Sequence, residues 1–256
     1  MSAAPNMIEL DNLTRLFDKQ RAVDNLTISV PTGEIFAFLG SNGAGKTTTM
    51  KMMTGQLKPS SGTIRIKGVD MWKDKEIRQI TGYVPDVPLL HEGLTAREML
   101  RFVGGLYGLG REDIHKRTEA LLGQFDLLDS ADKLIKAYSL GMKRKTAIAC
   151  GLIHNPEILF LDEVTNGLDP KAAREVKNQI HKAAKENGVT VFLTTHILDV
   201  VEEMADRIAI LDAGKIQAIG TLEELRQKRG MASDSKLEEI FLSLIERGGQ
   251  TDTLAN

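Results

Sequence analysis

The chain has 256 residues, 42% of them apolar and 27% charged, with a formal net charge of -2 and a single cysteine. That length is enough to bury a substantial core, as one large α/β domain or as two smaller ones. The charge balance excludes a global pull toward nucleic acid, the lone cysteine excludes an internal disulfide framework, and no apolar run approaches the ~20 residues of a membrane-spanning helix.

Residues 1–12 lack a basic stretch followed by an apolar one, so no secretory signal is expected and the chain is expected to stay in the cytoplasm. Short β-like pieces such as residues 26–30 follow, broken at Pro31-Thr32-Gly33. Residues 34–39 form a compact apolar run bounded by glycines, as a buried parallel strand does. The chain then turns at Gly40 into a helix whose Met50, Met52 and Met53 read as core filler. Residues 60–70 alternate as one strand with a wet face.

From 94 to 154 helical spacing dominates, over residues 95–107, 112–125 and 140–153, with glycines between. Lys143, Arg144 and Lys145 read as a solvated helix face, and Cys150 as a small buried hydrophobe. Asn155-Pro156 ends the helical stretch, because proline disfavours helix in the residue before it. Strand-like runs return at 158–161, 189–194 and 207–211, and Asp212-Ala213-Gly214-Lys215 reads as a hairpin turn into 216–219. An amphipathic stretch at 237–245 and a polar end at 248–256 close the chain. The expected organisation is an α/β core (1–93 and 155–230) carrying a helical insertion (94–154), then a C-terminal helix and tail (231–256).

Gly40-Ser41-Asn42-Gly43-Ala44-Gly45-Lys46-Thr47 matches the phosphate-loop pattern G-x-x-x-x-G-K-[ST] in full, with Thr48 following in the helix. Its glycines let the backbone wrap phosphates, so that successive N–H groups point inward and a helix N-terminus adds positive potential. Lys46 is placed to reach the β- and γ-phosphates, and the Thr47 hydroxyl to ligate Mg²⁺. Further on, Ile158-Leu159-Phe160-Leu161 is an apolar strand ending in Asp162-Glu163. Strand alternation is expected to send these two acids to opposite sides, one toward Mg²⁺ and the other toward a water that attacks the γ-phosphate.

At this point the residues resemble the ABC ATPase family over most of the chain. Tyr138-Ser139-Leu140-Gly141-Met142 resembles its signature motif, Asn166-Gly167-Leu168-Asp169 its D-loop, and Thr194-Thr195-His196 its switch-histidine loop. Phe17 sits where the family has an adenine-stacking aromatic; a half-buried core aromatic is the other reading. The resemblance implies a P-loop NTPase (RecA-like) core with an N-terminal antiparallel β subdomain and an inserted α-helical subdomain, over residues 1–230. It implies ATP and Mg²⁺ as ligands, Glu163, His196 and Lys46 as catalytic groups, and Gly40 to Thr48, Ser139, Gly141 and Asp169 around the nucleotide. It also implies a head-to-tail dimer in which Ser139 of one subunit, capping a helix with a positive N-terminal end, meets the ATP of the other.

Three features depart from the usual pattern, one of them Val164 in place of a frequent proline after the two acids, which should matter little to chemistry. Asp86 follows Gly82-Tyr83-Val84-Pro85, where the family has glutamine, and brings negative charge toward the metal. Leu140 and Met142 make the signature degenerate, in a form resembling motor subunits of ABC-2 type exporters, as does the tail at 237–242. The expected function is therefore an ATPase that energises export, paired with a second cassette (a copy or a close paralogue) and a separate transmembrane permease, peripheral on the inner face of the cell membrane. A non-transport ATPase acting on ribosomes or DNA would bring a second cassette or a long coiled-coil insertion in the same chain, and neither is present. A regulatory module without turnover would not need Glu163 and His196. A GTPase would carry an Asn-Lys-x-Asp segment, which is missing.

Overall fold

The computed structural model describes residues 5–232 and 235–251, with side chains described as far as Leu244. The chain divides into two compact units, one within residues 1–75 and 192–256 and the other Glu76–Val191.

The first unit begins with an antiparallel sheet. Strand β1 (Asn6–Phe17) pairs with β2 (Gln20–Pro31) and with β4 (Ser61–Ile66), and β4 pairs with β5 (Val69–Asp70). The single strand expected over 60–70 is a hairpin. Lys67 and Gly68 take positive φ (51° and 77°), the backbone of a tight two-residue turn that matches strand twist. Asp212-Ala213-Gly214-Lys215 turns in the same way, with Ala213 and Gly214 at φ 45° and 78°.

A second sheet in this unit places β3 (Ile35–Gly40) between β9 (Arg207–Asp212) and β8 (Thr190–Thr195), with β10 (Lys215–Gly220) antiparallel to β9 on the outer side. β3 and β9 run parallel, and every residue of β3 is buried, as its unbroken apolar run requires. Phe36 and Phe38 pack their rings on Phe192 of β8, with centroids 5.3 and 5.5 Å away. Helix α1 (Lys46–Met53) follows β3 and buries Met50, Met52 and Met53 completely, as core filler does. The late helices are α6 (Leu198–Met204), α7 (Leu222–Arg229) and α8 (Leu237–Thr251), with Leu237, Ile240 and Leu244 of α8 buried.

In the second unit, strands β6 (Thr81–Val84) and β7 (Ile158–Asp162) pair in parallel, Thr81 opposite Ile158 and Val84 opposite Leu161. Three helices lie between them in sequence: α2 (Ala96–Leu106), α3 (Arg111–Gln124) and α4 (Leu140–Leu152). Their limits fall within one or two residues of the spacing-based expectation. Thr95 and Glu98 form a reciprocal capping box that starts α2, each satisfying an otherwise unpaired backbone N–H. Helix α5 (Pro170–Lys185) starts with proline in its first turn, where the missing N–H costs nothing. α4 lies tight against β6, since a Cβ on Gly82 would stand 2.2 Å from the Gly151 carbonyl oxygen.

Candidate functional site

In the first unit, β3 delivers the chain at Gly40 and α1 takes it up at Lys46. The helix starts without a side-chain cap and without an acid in its first turn. Its first N–H groups are therefore not engaged by a capping side chain of this chain, which suits an incoming anion. Gly45, the residue before α1, sits at φ 103°, and a Cβ there would stand 2.5 Å from the Ala22 carbonyl oxygen of β2. No other residue passes this point without moving the backbone. The loop is braced on its far side, where Gly214 N–H donates to the Ala44 carbonyl (3.1 Å) and Asp24 N–H donates to the Gly214 carbonyl (2.8 Å). The Lys46 ammonium, on a buried residue, donates to the carbonyls of Gly40 (2.8 Å) and Ser41 (3.1 Å). Ser41, Asn42, Gly43 and Thr47 are exposed and Thr48 half-buried, while Ala44 and Gly45 are enclosed. A rigid backbone cradle with a cation held at its entrance fits a polyphosphate.

Phe17 ends β1 opposite Gln20 and is 44% exposed, so it is not a core aromatic. The Arg15 guanidinium lies over its ring, 4.6 Å from the centroid. His196 stands one residue past β8 and is exposed; the Ile197 N–H donating to Thr195 Oγ1 (3.0 Å) turns the chain there.

In the second unit, Asp162 is the last residue of β7, and Asp162 and Glu163 are both buried (2% and 8% exposed). Alternation along a strand does not separate them, because Glu163 has already left the strand with φ 50°. That left-handed backbone is unusual for a non-glycine residue and costs on the order of 1 kcal/mol. Ser139 caps α4, its hydroxyl accepting from Met142 N–H at 3.2 Å, and Asp169 caps α5, its carboxylate accepting from Ala172 N–H at 2.9 Å. The two caps are neighbours: Gly141 lies against Ala172, and Gly167 against Leu140. The signature-like and D-loop-like segments are thus brought together. Among the described residues no group of three or more His, Cys, Asp and Glu could hold a metal ion.

The basic triplet on α4 is not a solvated face. Arg144 and Lys145 are buried, and each of the three cations has a carboxylate partner: Glu92 for Lys143 (2.5 Å), Asp86 for Arg144 (3.8 Å) and Glu175 for Lys145 (2.5 Å). α4 is enclosed on every side from Arg144 to Ala149, so no face is left for water. Burial pulls the Arg144 guanidinium below its ordinary pKa, opposed by the charges of Asp86 and Asp162. Sequence spacing could not show this, since the three partners lie far away along the chain. Cys150 does behave as a hydrophobe, with burial pushing its thiol up to about 12.

At the other end of α4, the His154 ring stacks on Tyr107 with centroids 3.6 Å apart, and its Nε2 lies 3.1 Å from the Thr81 carbonyl oxygen. Burial lowers its pKa from 6.5 to about 4, with Arg117 adding to the effect and the Thr81 contact opposing it. A lowered histidine pKa contributes stability that is full above pH 6.5 and is lost as pH falls toward 4, because the unfolded chain takes up the proton first. The loss should reach at most roughly 3 kcal/mol. Urea unfolding at pH 7 and pH 4.5 should show a smaller pH difference for His154→Phe, which keeps a ring in the stack, than for the parent. Equal pH differences would contradict this account.

The profile of the ABC transporter family matches residues 23–166. The bacitracin transport ATP-binding protein BcrA of Bacillus licheniformis is 41% identical over 211 residues, 82% of this chain and 68% of that protein. The daunorubicin/doxorubicin resistance ATP-binding protein DrrA of Streptomyces peucetius is 39% identical over 224 residues, 87% of this chain and 68% of that protein. A solved dimeric ATP-binding cassette, in a post-hydrolysis state with ADP and Pi, superposes with a TM-score of 0.77 at 26% identity, covering 84% of this chain and 99% of that one.

Proposed function

This chain belongs to the ABC transporter family, and from that premise we propose that it drives export as a pair of cassettes working with a separate membrane subunit. It is a P-loop NTPase cassette that binds and hydrolyses ATP to energise transport. One observation carries the reading: the uncapped start of α1 behind a glycine-built cradle, with Lys46 held at its entrance. Residues 1–230 form the ATPase domain, with 94–154 as its helical part, followed by the helix and tail of 231–256. The helices α2, α3 and α4 within 94–154 support this division.

In this reading Gly40 to Thr48 hold the phosphates through backbone N–H groups, Lys46 compensates the β/γ charge, and Phe17 stacks on adenine. Glu163 orients and deprotonates the attacking water, and His196 contacts that water and the γ-phosphate. Thr47 and Asp162 are the residues that would hold Mg²⁺, with Asp86 near it. When bound, the ion supplies charge neutralisation on the β/γ oxygens. Ser139 and Gly141 of one copy present the start of α4 to the nucleotide of the other, and Asp169 lies beside them.

Export is supported by the relatives, whose names specify bacitracin transport and daunorubicin/doxorubicin resistance. Among the described residues no helix is long and apolar enough to cross a membrane. The permease is therefore proposed as a distinct subunit that holds the chain at the inner face of the cell membrane. Val87 and Leu89 (70% and 77% exposed), with Phe102 and Leu106, leave the second unit with apolar surface that suits a protein partner.

The test is Ser139→Arg. Its long side chain removes the cap and crowds the approach of a facing phosphate, at a stability cost of only about 1 kcal/mol. ATP binding by the single chain should persist, while ATP-dependent dimerisation on gel filtration is lost and turnover falls more than about tenfold. A variant that dimerises and hydrolyses normally would defeat the shared-site reading.

A further inference from the structure

Arg144 stands five residues past the Ser139 cap and is 2% exposed. Its Nη1 donates to two successive backbone carbonyls, Pro85 (3.1 Å) and Asp86 (2.5 Å), and its Nη2 lies 3.8 Å from the Asp86 carboxylate. Its Nε is buried with no hydrogen-bond partner. Burying a guanidinium costs several kcal/mol, and an apolar side chain would fill the same space more cheaply. Packing alone therefore does not account for it. A lysine would keep the charge but not the planar fork that reaches two carbonyls and a carboxylate together.

Its surroundings give the charge a purpose. Asp86 and Asp162 both act on the guanidinium electrostatically, so one cation offsets two carboxylates next to the proposed metal. The clamped segment continues directly into exposed Val87 and Leu89, and behind it Gly82 of β6 is pressed against Gly151 of α4. Strand β6 is thereby packed on α4 at Gly82, and the start of the loop after it is tied to α4 at Pro85 and Asp86.

We propose that Arg144 is a positioning residue for hydrolysis, clamping the 85–86 backbone to the Ser139-capped helix and offsetting Asp86 beside Asp162. The inference rests on the assignment of Asp162 and Glu163 made above.

The experiment uses the full chain with ATP and Mg²⁺. Arg144→Gln should lower kcat about tenfold or more while the Kd for ATP stays within about twofold, because the phosphate cradle is untouched. Asp86→Asn should lower turnover in the parent, where it removes a group near the metal, yet raise it in Arg144→Gln, where it removes a carboxylate left uncompensated. Loss of packing alone would not reverse that sign. Hydrogen exchange at the amides of Val87, Leu89 and Leu90, the N–H-bearing residues of 87–90, should rise in Arg144→Gln. The same effect of Asp86→Asn in both backgrounds, or unchanged exchange at 87–90, overturns the proposal. If Arg144→Gln does not fold, Arg144→Lys decides it: faster exchange at 87–90 with parental ATP affinity supports the clamp, and parental exchange overturns it. Glu163→Gln run alongside reports separately on the site. If it hydrolyses ATP at the parental rate, the site assignment fails, while exchange at 87–90 still answers for Arg144.

Discussion

Lys46→Ala is expected to abolish tight ATP binding, raising the Kd about ten- to a hundredfold, since a charge-assisted contact to a phosphate is worth about 1.5–3 kcal/mol. The structure explains why the loss should fall on binding and not on folding. The ammonium is held by the Gly40 and Ser41 carbonyls, at the entrance of a loop whose shape is fixed elsewhere. Gly45 is locked against Ala22, and Ala44 is bonded to Gly214. Alanine also keeps α1 intact, being the best helix former. Isothermal titration with ATP and Mg²⁺ measures the affinity, and thermal melting without nucleotide checks the fold. Equal affinity in parent and variant would falsify the phosphate-loop assignment.

The parts of this molecule that could be read from sequence are those whose physics is local. The apolar run of β3, the glycine spacing of the loop and the Ser139 cap each depend on neighbours within a few residues. Helices α2, α3 and α4 followed from apolar periodicity for the same reason. The alternation over 60–70 was misread as one strand because a two-residue turn at Lys67-Gly68 barely interrupts a period of two. The basic triplet on α4 was misread because three adjacent charges look like a wet face when viewed alone. In fact Arg144 and Lys145 are buried, and all three cations have carboxylate partners at Glu92, Asp86 and Glu175, supplied by other elements of the second unit. Glu163 shows the same limit: it leaves the strand through a positive φ that no residue pattern announced. The candidate site was thus legible as a list of residues, while Arg144, which ties two of its segments together, was not.

Glu163→Gln is expected to keep ATP binding and to stall hydrolysis, lowering kcat by a factor on the order of 10²–10⁴, the range for loss of a positioned general base. The substitution preserves shape and hydrogen-bonding reach, so the strained backbone at φ 50° meets no new steric demand. It removes one negative charge from a buried position beside Asp162, which lowers electrostatic repulsion toward the nucleotide phosphates. Binding should therefore be as tight as in the parent or tighter. If two copies enclose ATP between them, a variant that cannot hydrolyse it should accumulate as the closed pair. Gel filtration with ATP and Mg²⁺ should then show the variant moving from monomer to dimer, while the parent returns to monomer as ATP is consumed. A second substitution, Ser139→Arg, should abolish this dimer without restoring hydrolysis, because it blocks the facing phosphate and leaves the water-activating group missing. The two residues fail in separable ways, and the order of events follows from that. With both outcomes as expected, closure would precede chemistry, and hydrolysis with Glu163 as the base would release the pair. A Glu163→Gln chain that turns over ATP at the parental rate would remove Glu163 from the mechanism, and one that binds ATP but stays monomeric would remove dimer closure from it.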